Sequence, residues 1–285
     1  MKTRDIVLFA PLFITLLVSL NPVNSQAQGP TTLTFGVVPQ QAASKLARLW
    51  TPILAYLGEQ TGYQFRFKTA RDIPTFEKRL AEGEYDMAYM NPYHYTVFHR
   101  QPGYVAFAME KDKKIRGIIV VRKDSQYKDL TEFKDQVLAF PSPAAFAASV
   151  LTRAQFAKIG IPIKPKYVSS HDSVYRTVAK GLYPAGGGVM RTLKIVDPAI
   201  SKQLRVLWTT RFYTPHAIAA HQRIPASVVE QTRRAMGEMD QNPRGRELLE
   251  AVKFKGIVPA RDADWDDVRA LGIHLLDRLV KSHRK

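Results

Sequence analysis

The chain has 285 residues, of which 45% are hydrophobic, and a formal net charge of +17 with no cysteine. The lack of cysteine excludes structural disulfides, thiolate metal sites and a lipid-modified cysteine. The basic charge favours acidic ligands or anionic surfaces. The lysines and arginines are scattered rather than gathered in the runs typical of nucleic-acid-binding arms. We therefore expect a globular protein with an anionic ligand and no nucleic-acid partner.

The amino terminus has the pattern of an export signal. Lys2 and Arg4 precede the apolar run 6–20, and small residues follow up to Ala27. A permanent membrane anchor is the alternative, but the run is shorter than the roughly 20 residues that a spanning helix needs. We predict cleavage near Ala27, which makes residues 1–27 a signal peptide and places the mature protein in the periplasm.

The first part of the mature chain alternates strands with helices. Strand 33–38 ends at Pro39, and the helix that follows carries an apolar stripe and stops near Gly62. The next elements are strand 63–68, helix 74–82 and strand 87–90. This alternation predicts a parallel sheet covered by helices, with ligands bound beyond the carboxyl ends of the strands. The loops after Val38 and Met90 lie at such ends.

A second alternating set follows the charged turn 111–116. Its elements are strands 117–121, 137–140, 166–169 and 205–208, with helices 144–159 and 173–180. We interpret the glycines 186–188 as a tight turn, because no Gly-Lys-Ser or Gly-Lys-Thr follows to make a phosphate-binding loop. Strand 217–220, a helix opened by Pro225 and a last amphipathic helix over 265–279 then return to the first set. The pattern predicts an α/β protein with two lobes.

Four short stretches stand in register along the chain. They are FGVVPQ at 35–40, LAEGEYDMA at 80–88 with NPYHY at 91–95, FPSP at 140–143 and SSHDS at 169–173. Together they resemble the phosphate, phosphite and phosphonate binding proteins of ABC importers. The resemblance implies the type II periplasmic-binding-protein fold, in which two α/β lobes are joined by a two-crossing hinge. Lobe one would comprise residues 28–116 and 213–285, and lobe two would comprise residues 117–212.

The same resemblance implies a ligand site between the lobes. The implied residues are Gln40, Tyr93 and Tyr95 on lobe one, and Ser142, Ala144, Ala145 and His171 on lobe two. Ala144 and Ala145 offer backbone N–H groups at a helix start, which together with hydroxyls and a histidine suit a small oxyanion. Their methyl groups stand where the family commonly has Ser and Thr, so we expect weaker phosphonate binding than a hydroxyl-lined site gives. Residues 183–188 stand where the family commonly has an acidic strand, and their glycines together with Arg191 would contribute anion donors.

Several alternatives stay open at this point. His171 is also suited, with Asp172 and Ser173, to cap the following helix. The other histidines lack the paired spacing of a zinc helix, so we predict no metal and no cofactor. No Gly-x-Ser-x-Gly elbow occurs, and we predict a receptor and not an enzyme.

The leading hypothesis is a monomeric periplasmic receptor that delivers a small anionic ligand to the membrane permease of an ABC importer. A receptor of the same fold that reports to a membrane sensor is the nearest alternative. A phosphoester hydrolase is the alternative from another functional class.

Overall fold

The computed structural model describes residues 31–281, so the predicted signal peptide 1–27 lies outside the described residues. In chain order the first elements are β1 (Thr32–Val37), α1 (Ala43–Thr61), β2 (Gln64–Lys68), α2 (Ile73–Ala81), β3 (Met87–Met90), α3 (Pro92–Phe98) and β4 (Tyr104–Glu110). Helix α1 ends at Gly62, whose φ of 76° is readily adopted by glycine. Helix α2 begins after Asp72, whose carboxylate accepts a hydrogen bond from the Thr75 N–H at 2.8 Å.

The middle of the chain builds a second group of elements. They are β5 (Gly117–Arg122), β6 (Val137–Phe140), a π-helix (Phe146–Leu151) continued by α4 (Thr152–Lys158), β7 (Lys164–Tyr167), α5 (His171–Ala179), β8 (Ala185–Val189), α6 (Met190–Ile195), α7 (Pro198–Ser201) and β9 (Leu204–Thr209). The last elements are β10 (Ala217–His221), α8 (Ala226–Gly237), α9 (Pro243–Ala251), β11 (Ile257–Pro259), α10 (Asp266–Arg269) and α11 (Asp277–Lys281). Short 3₁₀ turns lie at Leu130–Phe133, Met239–Gln241 and Asp262–Trp265.

The strands form two sheets, in the orders β11-β4-β10-β3-β1-β2 and β7-β6-β8-β5-β9. In the first sheet β1 pairs parallel with β2 and β3, whereas β10 is antiparallel to its neighbours. The chain passes from the first sheet to the second before β5 and returns after β9. At these crossings Ile115 and Tyr213 exchange two backbone hydrogen bonds of 2.8 Å each. The predicted α/β architecture with two crossings is therefore confirmed.

Both faces of the second sheet are buried, and β5 shows how its sequence produces this. Ile118 and Val120 enter the apolar cluster on one face, while Ile119 and Val121 enter the cluster on the other. Successive side chains of a strand point to opposite faces, so an unbroken apolar run fills both clusters. The sheet is thereby held between helices, and the ends of its strands are left free to face the other sheet.

The glycines 186–188 form the middle of strand β8 instead of the predicted tight turn. A Cβ at Gly187 would lie 2.0 Å from the Ala148 carbonyl oxygen, and one at Gly188 would lie 2.3 Å from the Tyr175 hydroxyl. The π-helix and α5 thus approach opposite faces of β8 more closely than any side chain allows. Glycine is required here by close packing, not by a bend in the backbone.

The predicted helix over 265–279 is not continuous. The chain forms a 3₁₀ turn, then α10, and turns at Gly272, which has a φ of 57°, before α11 begins at Asp277. Trp265 and Leu276 are buried, as their apolar spacing indicated, whereas Leu275 is 48% exposed. A glycine in the left-handed region interrupts the helical repeat and separates two short helices.

Candidate ligand-binding cleft

Four polar or helix-starting segments meet between the two sheets. Gln40 follows β1, and Asn91 follows β3, whereas Ala144 precedes the π-helix and His171 opens α5. The His171 N–H donates to the Gln40 carbonyl oxygen at 3.2 Å, and Asn91 Nδ2 donates to the Ala144 carbonyl oxygen at 3.3 Å. The carboxyl ends of strands from both sheets therefore face each other, which is where ligands of such folds bind.

A small pocket lies at this meeting point. It is lined by Val38, Gln40, Ile73, Asn91, Ile115, Ala145, Phe146, Ala147, Ala148, His171, Val189 and His216. Its volume is about 10 Å³, which is close to the space that one water molecule needs, about 10–15 Å³. Three of the predicted residues, Gln40, Ala145 and His171, line the pocket, which is too small for a tetrahedral oxyanion in the conformation described.

Arg191 crosses from α6 to the first sheet. Its guanidinium donates to the Tyr89 hydroxyl and to Gln40 Oε1, each at 2.7 Å, and lies 5.5 Å from the ring centroids of Tyr89 and Phe254. Burial raises the pKa of Tyr89 to about 12, so the phenol keeps its proton. No carboxylate within residues 31–281 forms an ion pair with Arg191, and its hydrogen-bond partners in this network are neutral. Buried Glu110 balances part of this charge without a direct ion pair, since burial raises its pKa and Arg191 acts to lower it. A ligand oxyanion would supply the counter-ion in direct contact that Arg191 lacks.

Two buried histidines flank the pocket in their neutral form. Burial, with a smaller contribution from Arg191, lowers the pKa of His171 to about 3 and holds that of His216 well below its usual range. Gln40 Oε1 accepts from Arg191, so its Nε2 donates to His216 Nε2 at 2.9 Å, which leaves the His216 proton on Nδ1. Both rings offer neutral hydrogen-bonding groups, and the positive charge comes from Arg191.

The helix start beside the pocket carries few side-chain donors. Ala145 precedes the π-helix, and its carbonyl oxygen accepts from the N–H groups of Ser149 at 2.7 Å and Val150 at 3.2 Å. The N–H groups of the first residues have no carbonyl partner earlier in the helix, so they remain available to an anion. Ser142 Oγ is buried and has no hydrogen-bond partner within the described part of the chain. The predicted residues Ser142, Ala144 and Ala145 thus lie on this side of the cleft, but the Ala145 N–H already donates to the Ser142 carbonyl oxygen at 3.4 Å.

The structure does not bring Tyr93 and Tyr95 into the cluster. The Tyr93 hydroxyl accepts from the Leu276 N–H at 2.9 Å, and the Tyr95 hydroxyl donates to Asp262 Oδ1 at 2.7 Å. Asn91 caps the helix that contains both tyrosines, and this helix directs them towards the carboxyl-terminal segment. The Tyr95 and Trp265 rings are 4.6 Å apart, so the aromatic residues pack in the core.

Sequence reasoning missed three groups that the structure places at the cleft, namely Tyr89, Asn91 and His216. Asn91 directly follows strand β3, just as Gln40 comes after the neighbouring strand β1. That shared position was the available signal for Asn91. Tyr89 and His216 stack with ring centroids 4.9 Å apart, yet they are far apart in the sequence, and no local pattern joins them.

A larger cavity of about 470 Å³ lies next to the small pocket, with Arg191 in its wall. It is lined by Tyr89, Glu110, Asp112, Lys113, Lys114, Ile115, Arg116, Val189, Met190, Arg191, Lys194, Phe212, Pro215 and His216. Within residues 31–281 no group of three or more acidic or histidine side chains is placed to share a metal ion. No helix in the same range is long and apolar enough to cross a membrane.

Two helix-flanked sheets with a cleft between facing strand ends define a two-lobed solute-binding protein of the type II fold. A family model described as the periplasmic substrate-binding protein of the ABC phosphonate transporter matches residues 35–265. The chain belongs to this family, whose members are transport receptors and not enzymes.

Individual relatives agree with this assignment. The phosphate-import protein PhnD of Mycolicibacterium smegmatis is 23% identical over 87% of each chain. The binding component of an ABC phosphonate transporter from Pseudomonas aeruginosa aligns with a TM-score of 0.78 at 16% identity, over 85% of this chain and 86% of that one. PhnD1 of Prochlorococcus marinus in complex with methylphosphonate aligns with a TM-score of 0.77 at 16% identity, over 85% of this chain and 97% of that one. At such identities the structural matches establish the fold.

Proposed function

We propose that the protein is a periplasmic receptor for a phosphorus oxyanion, phosphonate, phosphite or phosphate, which it delivers unchanged to the membrane permease of an ABC importer. The observation that carries this proposal is the environment of Arg191, whose guanidinium is half-buried in the cleft. It donates hydrogen bonds to neutral acceptors, and no carboxylate among the described residues forms an ion pair with it. A ligand oxyanion completes this arrangement with charge-assisted hydrogen bonds. Neutral His171, Gln40 and the N–H groups after Ala145 surround the ligand and set its orientation.

Binding requires the cleft to open. The pocket is about the size of one water molecule. Next to it, the hydrogen bonds of Arg191 to Gln40 and Tyr89 connect the two sides of the cleft. Ligand entry therefore separates these groups, and we propose that residues 28–116 with 213–285 move as one lobe and residues 117–212 as the other. The crossings near Ile115 and Tyr213 form the hinge, where a few residues absorb the change in backbone angles. The receptor acts as a monomer in this proposal.

The test is calorimetric titration with phosphate, phosphite, methylphosphonate and aminoethylphosphonate, using the unmodified protein and Arg191→Gln. We expect at least one of these anions to bind. Replacement of Arg191 removes a charge-assisted interaction worth about 1.5–3 kcal/mol, so the Kd should rise by about 10- to 150-fold. Glutamine keeps polar atoms near Tyr89 and Gln40, which limits the change to the loss of the positive charge.

The matched control is Arg244→Gln, which also removes one arginine. Arg244 lies on the surface of the first lobe, where it pairs with Glu59 at 2.6 Å, far from the cleft in the fold. The affinity of the Arg244→Gln variant for the same anions should equal that of the unmodified protein. The proposal is overturned if none of the four anions binds at millimolar concentration, or if Arg191→Gln binds as tightly as the control.

A further inference from the structure

The cavity outside Arg191 is much larger than an oxyanion needs. Its volume of about 470 Å³ falls within the range of about 300–1,000 Å³ that is typical of sites for organic ligands. A phosphate or methylphosphonate bound at Arg191 would leave most of this space to solvent. The cavity is therefore large enough for a ligand that extends well beyond a single oxyanion.

The charges that line this cavity are unbalanced. Five cations, Lys113, Lys114, Arg116, Arg191 and Lys194, face two carboxylates, Glu110 and Asp112. Lys113 Nζ lies 3.4 Å from Glu110 Oε1 and so offsets that carboxylate. Within residues 31–281 none of the other four cations forms an ion pair. Such an excess of positive charge in a concave site raises the local concentration of anions and strengthens their binding.

One of these cations is held in place by an aromatic ring. The Arg116 guanidinium lies 4.9 Å from the ring centroid of Phe212, which is 58% exposed at the cavity rim. Stacking fixes the plane of a guanidinium and leaves its N–H edge free for an anion. Arg116 therefore has a defined orientation in the cavity, although no carboxylate is there to produce it.

The large cavity and the small pocket are neighbours with shared walls. Arg191 and Tyr89 line the cavity, and His216, Ile115 and Val189 line both spaces. A ligand group bound to Arg191 can thus extend directly towards Lys114 and Lys194 without leaving the cleft.

We propose that the physiological ligand carries a second anionic group, and that this cavity binds it. The ligand class is an anion with two or more phosphate or phosphonate groups, free or joined through a short organic linker. One group binds Arg191 at the pocket, and the other binds Lys114, Arg116 and Lys194. This inference rests on the proposed function, because it extends the same site.

The experiment compares pyrophosphate with orthophosphate by calorimetry at physiological ionic strength. We expect the unmodified protein to bind pyrophosphate at least about tenfold more tightly, since a second phosphate gains charge-assisted hydrogen bonds. Lys114→Gln with Lys194→Gln should abolish that preference, because it weakens pyrophosphate binding by about tenfold more than it weakens orthophosphate binding. The control double variant, Lys164→Gln with Lys166→Gln, removes the same charge from the exposed strand β7 and should keep the preference.

The outcomes separate this inference from the proposed function. Binding of orthophosphate or methylphosphonate without any preference for pyrophosphate overturns the second subsite alone. An equal loss of preference in both double variants also overturns it, because the overall charge of the protein would then explain the effect. If no phosphorus anion binds at all, the proposed function fails and the second subsite fails with it.

Discussion

Arg191 and His171 show how single residues set the chemistry of the cleft. Arg191 is held by the Tyr89 hydroxyl and Gln40 Oε1, and its positive charge helps to keep the nearby His171 neutral. His171 Nδ1 lies 3.4 Å from Thr192 Oγ1, while its backbone N–H donates to Gln40. The histidine thus contributes an uncharged ring to the pocket, and the positive charge beside this ring comes from Arg191.

The neutral state of His171 predicts how stability changes with pH. Its pKa is about 3 in the folded protein and about 6.5 in the unfolded chain, so between these values the unfolded chain binds the extra proton. The contribution of neutral His171 to the free energy of unfolding is complete above about pH 6.5. It is lost as the pH falls towards 3, by up to about 1.4 kcal/mol per pH unit. In His171→Gln, the free energy of unfolding should fall less steeply between pH 6 and pH 4.5 by about that slope.

Urea unfolding at several pH values measures this slope. His274→Gln serves as the control for the loss of a histidine, because His274 is exposed and pairs with Asp277 at 2.8 Å at the protein surface. Its slope should differ from that of the unmodified protein by much less than the slope of His171→Gln does. Equal slopes for all three proteins would show that His171 accepts a proton in the folded state as readily as in the unfolded chain.

Among the secondary-structure elements, strand β8 determines how closely α5 and the π-helix pack against the second sheet. The strand lies between α5 and the π-helix, and its glycines let both helices approach the sheet. The same approach positions the start of the π-helix, after Ala145, and the start of α5, at His171, at one edge of the cleft. The Gly-rich sequence therefore supports the site indirectly, through the placement of two helix starts.

Gly187→Ala tests this packing. Its Cβ would lie 2.0 Å from the Ala148 carbonyl oxygen and 2.6 Å from the Phe140 ring, so backbone must shift. We expect a loss of about 1–3 kcal/mol in the free energy of unfolding, measured by urea denaturation. Gly237→Ala in α8 is the control, since its Cβ would lie at an ordinary contact distance of 3.9 Å from the Ile257 carbonyl oxygen. This variant should leave stability unchanged or raise it by up to about 1 kcal/mol. Equal stabilities of the two variants would contradict close packing at β8.

The secondary-structure elements show which features of the fold the sequence predicts and which features it does not predict. Apolar periodicity and the stop at Gly62 located α1, and the buried run 87–90 gave strand β3 at its observed bounds. The glycines 186–188 were misinterpreted because their role depends on helices distant in the sequence, which no local pattern reveals. Tyr93 and Tyr95 were placed after the correct strand, but the rotation of α3 directs them away from the cleft, towards residues about 170 positions later.

At the scale of the whole molecule, several hydrogen bonds join the two sheets across the cleft. They include Arg191 to Gln40 and Tyr89, Asn91 Nδ2 to the Ala144 carbonyl oxygen, and Lys45 Nζ to the Ile195 carbonyl oxygen. Each is worth only about 0.5–1.5 kcal/mol, and somewhat more where a charge takes part. Such a small set can be exchanged for contacts with water when the lobes separate, so the described conformation corresponds to the closed state of the proposed hinge motion.

The absence of cysteine makes this motion measurable by energy transfer between two dyes. Lys164→Cys on β7 and Gln231→Cys on α8 introduce one exposed labelling site in each proposed lobe. Lys164→Cys with Lys202→Cys places both dyes in lobe two and provides the control. Both pairs are measured as single molecules in the presence and absence of a phosphorus oxyanion that binds.

We expect the pair across the lobes to show an open and a closed population without ligand, and the oxyanion to shift molecules towards a ligand-bound closed state, in which the lobes close around the oxyanion and Arg191 binds it instead of Gln40 and Tyr89. A ligand shifts such an equilibrium only by its preference for one state, so the shift should saturate with the Kd found by calorimetry. Arg191→Gln removes two contacts that join the lobes, and it should deplete the closed population even without ligand. The pair within lobe two should not change under any of these conditions. A single unchanged population for the pair across the lobes, with ligand bound, would contradict the hinge motion.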